Sequence, residues 1–318
     1  MEDALPVVRE VAVHTPTVRF WDPGESEVYL KLENLQRLGV FKIRGTWNRV
    51  SRLTEEERGR GVTTISSGNH GLSLAWAAKR LGIPCTVRVP EGAVARKVEA
   101  IRGLGADVEA MPRALLVLFH EEERWRSWPQ TFIHPFAHPH TIAGAGTLGW
   151  EIAEDLPDVR TVLVPVGGGG LASGVAVAVK DRHPKAKVFG VQAEGAAPLP
   201  EALRTGKPNR IDDPQTIADG IRVAVVLSDM VEILRRNLDG CLVVSDDEIR
   251  SAMRRLAMEA KVVAEPAGAA AFAAWMRYHA DLEPPVAVVV SGGNVDPKLL
   301  MEILSERSDP SGEKGIVK

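Results

Sequence analysis

From about residue 60 the chain alternates short β-branched runs with stretches of helical periodicity, and no other feature constrains its fold as tightly. "GVTTIS" leads to "NHGLSLAWAAKRLG", "PCTVRVP" to "ARKVEAIRGLGA", and "DVEAMP" closes the first series. The pattern resumes with "RTVLVPVG", "GGLASGVAVAVKDRHP" and "AKVFGVQAE", then with "GCLVVSDDEIRSAMRRLAMEA" and the apolar run of "PPVAVVVSGGN". A strand that leads into a helix returns parallel to its predecessor, so the pattern predicts an α/β fold: parallel, open twisted sheets with helices on both faces. Residues 111 to 140 break the rhythm with an apolar run, a charged run and a Pro/His-rich loop, which divides the sheet between two lobes. A chain of 318 residues is long enough for both. Ser245 and Glu248 form a capping box for the helix behind them, and the polar tail "SDPSGEKGIVK" is expected to fray.

Composition removes several functions. A formal charge of -3 with scattered Lys and Arg offers no basic stripe for a phosphate backbone, so nucleic acid is not expected as a partner. Cys85 and Cys241 are far apart and outside any C-x-x-C spacing, which suits a reducing cytoplasm rather than a disulfide framework or thiolate metal site. The start "MEDALPVVRE" lacks the basic-then-apolar order of a signal peptide, and no uncharged run reaches the roughly 20 residues of a bilayer span. A cytoplasmic protein is expected.

Four junctions at strand ends carry the chemistry, because ligands of open α/β folds bind at the carboxyl edge of the sheet. The strongest is "PVGGGGLASG": Gly167, Gly168, Gly169 and Gly170 can turn their N–H groups around an anion while the helix behind, entered through Leu171, adds the positive end of its dipole. A tight turn is the plain alternative. "ISSGNHG" places Ser66, Ser67, Gly68, Asn69 and His70 at another helix start, a setting for a carboxylate, although Ser67 or Asn69 alone would serve as an N-cap. Ser291 in "VVVSGGN" ends a buried strand with one hydroxyl, and Glu265 in "VVAEPAGAA" precedes a proline-initiated helix.

To these is added Lys42, between Phe41 and a short basic run in "GVFKIRG". Alone it reads as a surface charge. With a phosphate cup, a carboxylate cup and a strand-end hydroxyl it reads as the Schiff-base lysine of a pyridoxal phosphate enzyme. A rival remains in Gly167, Gly169 and Ala172 with Glu194 after the next strand, which imitate a dinucleotide fingerprint and would make a colourless dehydrogenase. A cofactor-less amino-acid sensor on the same scaffold would lack Lys42.

The motifs "HTP", "GVFKIRG", "SSGNHG", "HPF…TIAGAGTLGWEI", "VPVGGGGLASG", "TIADGI", "AEPAGA" and "SGGN" follow one another in the order of a known family. In them the chain resembles, from about residue 14 to 300, the serine/threonine dehydratase and serine racemase branch of the fold-type II pyridoxal phosphate enzymes, whose fold is that of tryptophan synthase β. The resemblance implies a large cofactor domain of residues 1-47 plus 142-318, a small substrate-gating domain of 48-141, and a homodimer with an amino-acid substrate. It implies that Lys42 binds the cofactor and removes the substrate's α-proton, with Phe41 beside the ring. Gly167 to Gly170 and Leu171 would hold the phosphate, Asn69 the ring hydroxyl and Ser291 the ring nitrogen, with Glu265 in the same cofactor site. Ser66, Ser67, Gly68, Asn69 and His70 would grip the substrate carboxylate. The activity implied is conversion of a β-hydroxy amino acid (threonine, serine or a bulkier analogue) to a 2-oxo acid and ammonia. Ser67 stands where racemases of the family carry their second acid/base group, which makes racemisation the alternative.

The departures are local. Val40 replaces the serine usual two places before the lysine, and Ala137, His138 and Ala145 alter two further motifs. Pro198 and Pro200 near Glu194 speak against a divalent-cation site, and His134, His138 and His140 lie on a Pro-rich loop without a supporting acid, so no metal is expected. "MPRALLVLFHEEERW" begins too apolar for an exposed helix; it reads as a buried join or dimer contact, or as the wall of a pocket for a β-aryl substrate. The dozen residues after 306 cannot fold as a regulatory domain.

Overall fold

The computed structural model describes residues 1–21, 24, 26–116 and 118–306, so the polar tail expected to fray lies outside the described residues. Its strands are β1 (Thr17–Phe20), β2 (Val28–Leu32), β3 (Val62–Ile65), β4 (Cys85–Pro90), β5 (Asp107–Met111), β6 (Thr131–Phe132), β7 (Thr161–Pro165), β8 (Lys187–Ala193), β9 (Gly240–Val244) and β10 (Val286–Val290). They form two sheets, a six-stranded one in the order β1-β2-β10-β7-β8-β9 and a four-stranded one in the order β5-β4-β3-β6. Every pairing is parallel except β1 with β2, an antiparallel hairpin at one edge. β7 and β10 are buried at every position, which is why they read as unbroken apolar runs.

The helices that matter for the site are α1 (Lys42–Val50), α2 (Asn69–Leu81), α3 (Ala95–Gly103), α4 (Pro139–Asp155), α5 (Gly170–Arg182), α6 (Ser228–Asn237), α7 (Asp246–Arg255) and α8 (Pro266–Tyr278). One face of the large sheet packs on α7 and α8 through Phe20, Met253, Phe272 and Trp275, the other on α4, α5 and α6 through Leu148, Val175 and Leu234. The small sheet buries Leu74 of α2 and Ile101 of α3. The capping box of Ser245 and Glu248 is formed at the start of α7.

Helix α1 joins the two halves. Ile43, Trp47 and Val50 sit in the core of the small sheet, whereas Arg44, 1% exposed, faces the large one. Arg44 makes paired bonds to Glu33 at 2.7 and 2.9 Å and to Glu151 at 2.7 and 2.8 Å. Beside it the buried Lys31 reaches the Thr15 carbonyl at 2.8 Å, Glu151 at 3.1 Å and Asp155 at 2.9 Å. Helices α1 and α4 also touch backbone to backbone: a Cβ on Gly45 would lie 2.6 Å from the Thr141 carbonyl oxygen. Lys42, at the first turn of this clamped helix, therefore inherits a fixed position.

The run "ALLVLF" is not one buried segment. Residues Arg113–Leu116 form a short helical turn with Leu115 exposed, while Phe119 is 2% exposed and heads a cluster of rings. Phe119 meets Trp125, Trp128 and Phe132 at centroid distances of 5.8, 5.0 and 5.9 Å.

Candidate active site

Lys42 stands at a cleft between the sheets. Its Nζ donates to the Pro135 carbonyl at 3.1 Å and lies 5.1 Å from the centroid of the Phe41 ring. The residue keeps some surface open to the cleft. Protein packed around the amine lowers its pKa to about 8 by desolvation, against the pull of the Glu265 carboxylate. An amine with one acceptor for three potential donor positions is an incomplete structural lysine. It is well prepared as a nucleophile or base.

The glycine junction lies within one residue of the same acceptor. Phe136, next to Pro135, fills the space that a side chain on Gly168 would need, and a Cβ on Gly170 would sit 2.9 Å from Phe136 backbone oxygen. Gly169 caps α5 with φ of +95°, a left-handed conformation that glycine adopts without strain. The N–H groups of Gly167, Gly168 and Gly169 donate to none of the described residues, so they remain for an anion. The Leu171 side chain is buried in the large-sheet core, and its N–H belongs to the first turn of α5, where amides have no partner within the helix.

Ser291 ties to the lysine through the main chain, since Phe41 N–H donates to its carbonyl at 3.1 Å. It is 4% exposed, and its hydroxyl bonds to none of the described residues. Val40 pairs with Gly292 in an antiparallel bridge and is itself buried, so it closes the floor where the family's usual serine would be.

From the small sheet comes the loop after β3. Ser66 Oγ accepts from Gly68 N–H at 3.2 Å, which folds the loop on itself. The Ser67 hydroxyl bonds to none of the described residues. Asn69 donates from Nδ2 to Glu265 at 2.7 Å and accepts from Asn294 Nδ2 at 2.8 Å, so α2 is joined to α8 and to the end of β10. Lys97 of α3 adds an ion pair to Asp219 at 2.5 Å. The His70 ring is turned inward, with Nε2 3.0 Å from the Ile133 carbonyl and Nδ1 3.4 Å from Thr46 Oγ1. Burial, with the Lys42 charge, pushes its pKa down to about 3, so any hold it has on a carboxylate comes from its backbone N–H. Glu265 moves the other way: burial and the charge of Asp219 raise it to about 7, despite the Asn69 hydrogen bond.

These groups suit pyridoxal phosphate. The uncommitted Ser291 hydroxyl, the undonated glycine amides and the underused Lys42 amine are the kinds of group that a ring nitrogen, a phosphate and an aldehyde require, and Asn69 keeps one amide hydrogen beyond its bond to Glu265. Among the described residues no three His, Cys, Asp or Glu side chains converge as a metal site. Sequence reasoning quoted "HPF" and "SGGN" as motifs but missed that Pro135 supplies the acceptor for Lys42 and that Asn294 steadies Asn69. Both bonds span long separations in sequence, 93 and 225 residues, so only the intact motifs signalled them.

Comparison with known proteins gives one direction. The family model described as "Pyridoxal-phosphate dependent enzyme" matches residues 12–292. An L-threonine ammonia-lyase of Thermotoga maritima is 44% identical over 91% of this chain and 72% of its own. An L-threo-3-hydroxyaspartate ammonia-lyase of Saccharomyces cerevisiae is 38% identical over 96% of each. The solved serine racemase of Dictyostelium discoideum superposes with a TM-score of 0.84 at 35% identity, covering 93% of this chain and 97% of that one. The dinucleotide reading of the glycines and Glu194 is thereby set aside.

Proposed function

This chain belongs to the pyridoxal-phosphate-dependent enzymes of the serine/threonine dehydratase and serine racemase family, and on that premise we propose that it is an ammonia-lyase converting a neutral β-hydroxy amino acid, such as threonine, serine or a bulkier analogue, to a 2-oxo acid and ammonia. The observation that carries the reading is the Lys42 amine, with pKa near 8 and a single acceptor, at a cleft shared by a glycine cup and the loop 66–70.

When bound, the cofactor supplies an electron sink for the pair left behind as the α-proton departs. Lys42 would anchor it and, once its amine is free, take that proton; a pKa near 8 leaves a useful neutral fraction at neutral pH. Gly167 to Gly170 and Leu171 would hold the phosphate, Ser291 and Asn69 the polar edges of the ring, and Phe41 its flank. Glu265 would steady Asn69. The backbone N–H groups of Ser67, Asn69 and His70 would hold the carboxylate, Ser66 and Gly68 shaping the loop through bonds already made, and Phe136 and Val40 would keep water from beneath. A hydroxyl rather than an acid at Ser291 leaves the ring nitrogen a weaker sink, which suits the loss of a β-hydroxyl.

The side of the lysine toward the small sheet is built of rings and imidazoles kept neutral by burial, His120 near 4 and His134 well below its ordinary range. That supports a neutral side chain over a second carboxylate. Threonine, serine, phenylserine and 3-hydroxyaspartate should be assayed for 2-oxo acid and ammonia, with chiral analysis of the remainder. Equimolar products with 3-hydroxyaspartate slowest are expected; inversion without ammonia would overturn the reading in favour of a racemase. That second activity is favoured by one observation, the uncommitted hydroxyl of Ser67.

The same proposal includes lobes of residues 1-47 plus 142-318 and 48-141, a boundary that falls within α1 and just inside α4. It also includes a cytoplasmic homodimer. Exposed Trp21, Leu35 and Val263 around a cavity of about 760 Å³ support a self-association face. Among the described residues no helix is long and apolar enough to cross a membrane.

A further inference from the structure

His134 is 6% exposed and lies at the head of the loop that carries Pro135 and Phe136. Its Nδ1 accepts from Phe136 N–H at 3.3 Å and from Ala137 N–H at 2.8 Å. An imidazole nitrogen that accepts is unprotonated, so the proton of the neutral ring is on Nε2. Nε2 is buried and bonds to none of the described residues. The ring packs on Phe136 at 4.5 Å, His120 at 4.9 Å and Trp125 at 5.3 Å between centroids. A core position of this kind would be better filled by phenylalanine, which strands no N–H. What histidine adds is the acceptor at Nδ1.

That acceptor folds the main chain into a tight turn, and the two residues inside the turn both face the candidate active site. The Pro135 carbonyl receives Lys42 Nζ at 3.1 Å. The Phe136 ring lies where a side chain on Gly168 would be. We propose that His134 is a positioning residue, which through the two amides on Nδ1 aims the Pro135 carbonyl at the Lys42 amine and seats Phe136 against the glycine cup. The proposal deepens the ammonia-lyase reading and rests on it. Burial first, then His120, His70, Lys42 and His138, keeps the imidazole neutral, so its acceptor persists at neutral pH.

The Pro135 carbonyl matters when the lysine is a free amine, because only then are N–H groups available to it. It stabilises the ammonium more than the amine, so its loss should lower the Lys42 pKa. The other titratable groups that interact by charge with Lys42 are Glu265, at the N-cap of α8, and His70 of α2, with His120 beside His134.

Full-length wild type, His134→Asn and His134→Phe are compared. Asparagine can accept the same two amides from its side-chain oxygen, as in an Asx turn. In the chain freed of cofactor, the pH midpoint of Lys42 acetylation is read by mass spectrometry. It should lie near 8 in the wild type, fall by at least about half a unit in His134→Phe, and return to within about 0.2 unit in His134→Asn. In the loaded enzyme, kcat should fall roughly 10- to 100-fold in His134→Phe with KM changed less than about 3-fold, and recover in His134→Asn. If the phenylalanine variant does not fold, His134→Ala replaces it with the same expectation. An unmoved midpoint in a folded phenylalanine or alanine variant overturns the proposal. So does an asparagine variant no better than phenylalanine. If borohydride fixes no cofactor on Lys42 of the wild type, the ammonia-lyase reading fails, and the acetylation midpoints still decide the role of His134.

Discussion

The two walls of the cleft are built to different standards. On the large-sheet side the charged groups behind Lys42 are buried and fully partnered: Arg44 is bidentate to both Glu33 and Glu151, and Lys31 has three oxygens. On the small-sheet side Thr64 Oγ1, Ser73 Oγ, His120 Nδ1 and His134 Nε2 are buried with no partner among the described residues, and the Ser67 hydroxyl is uncommitted; Thr141 Oγ1 and Ser173 Oγ of the large-sheet helices are unpartnered too, so the contrast lies between the partnered charges behind Lys42 and the neutral groups that face it. A satisfied network rigidifies, whereas spare donors mark a wall that has not spent its polar groups on folding. The partnered charges fix the helix that carries Lys42, while the spare polar groups, Ser291 and the glycine amides on the large wall and Ser67 on the small one, stay uncommitted around it.

The severest test removes what the large wall holds. Lys42→Ala should lower turnover by more than about 10⁴-fold and abolish the borohydride-trapped adduct. The melting temperature should move little, because a buried amine with one acceptor contributes little to the fold. A collapse in stability matching the loss of activity would show Lys42 to be structural and remove the contrast.

The next test sets one buried group on each wall against the other. Arg44→Ala leaves Glu33 buried without a cation and Glu151 with Lys31 alone, so it should cost about 3–5 kcal/mol in denaturant unfolding. His120→Phe removes an unpartnered nitrogen from a ring cluster and should change stability by no more than about 1 kcal/mol, with stabilisation expected. The pair also differs with pH. Burial holds His120 near 4 in the fold, below the 6.5 of an unperturbed imidazole. The unfolded chain then binds the extra proton, so the His120 contribution to stability is intact above about 6.5 and lost as pH falls toward 4. His120→Phe should therefore flatten the acid side of the stability profile. Equal costs for the two variants at neutral pH would make the walls alike.

On the large wall the strands were easier to read than the ion network behind Lys42. Strand and helix alternation made β3 to β5 and β7 to β10 legible; β7 and β10, buried at every position, keep unbroken apolar runs, while the edge strand β5 shows only through its place in the alternation. β6 has two residues and β1 is a partly exposed edge, so neither carries a period. "FKIRG" read as a basic run, and nothing local shows that Arg44 is paired to Glu151, 107 residues away. The loop 66–70 was legible as a helix start because capping is local chemistry. Which of its side chains turn inward was not, since Thr46 and Ile133, from distant parts of the chain, hold the His70 ring.

The smallest effect on the main reaction is expected at Ser67, and it sharpens the comparison most. If Lys42 on the large wall does the proton transfer that elimination needs, a hydroxyl on the opposite wall is dispensable for ammonia release. Ser67→Ala should then change ammonia formation by less than about 3-fold, a substitution that breaks no hydrogen bond to the described residues. Inversion of the α-carbon is different, because it needs a proton delivered from the face opposite the lysine, and a positioned acid/base group is worth at least about 10²-fold to such a step. Whatever racemisation the wild type shows should therefore fall by that factor in Ser67→Ala while the 2-oxo acid persists. Both products falling together would place Ser67 in the grip on the carboxylate, and the small wall would then act by holding the substrate rather than by moving a proton.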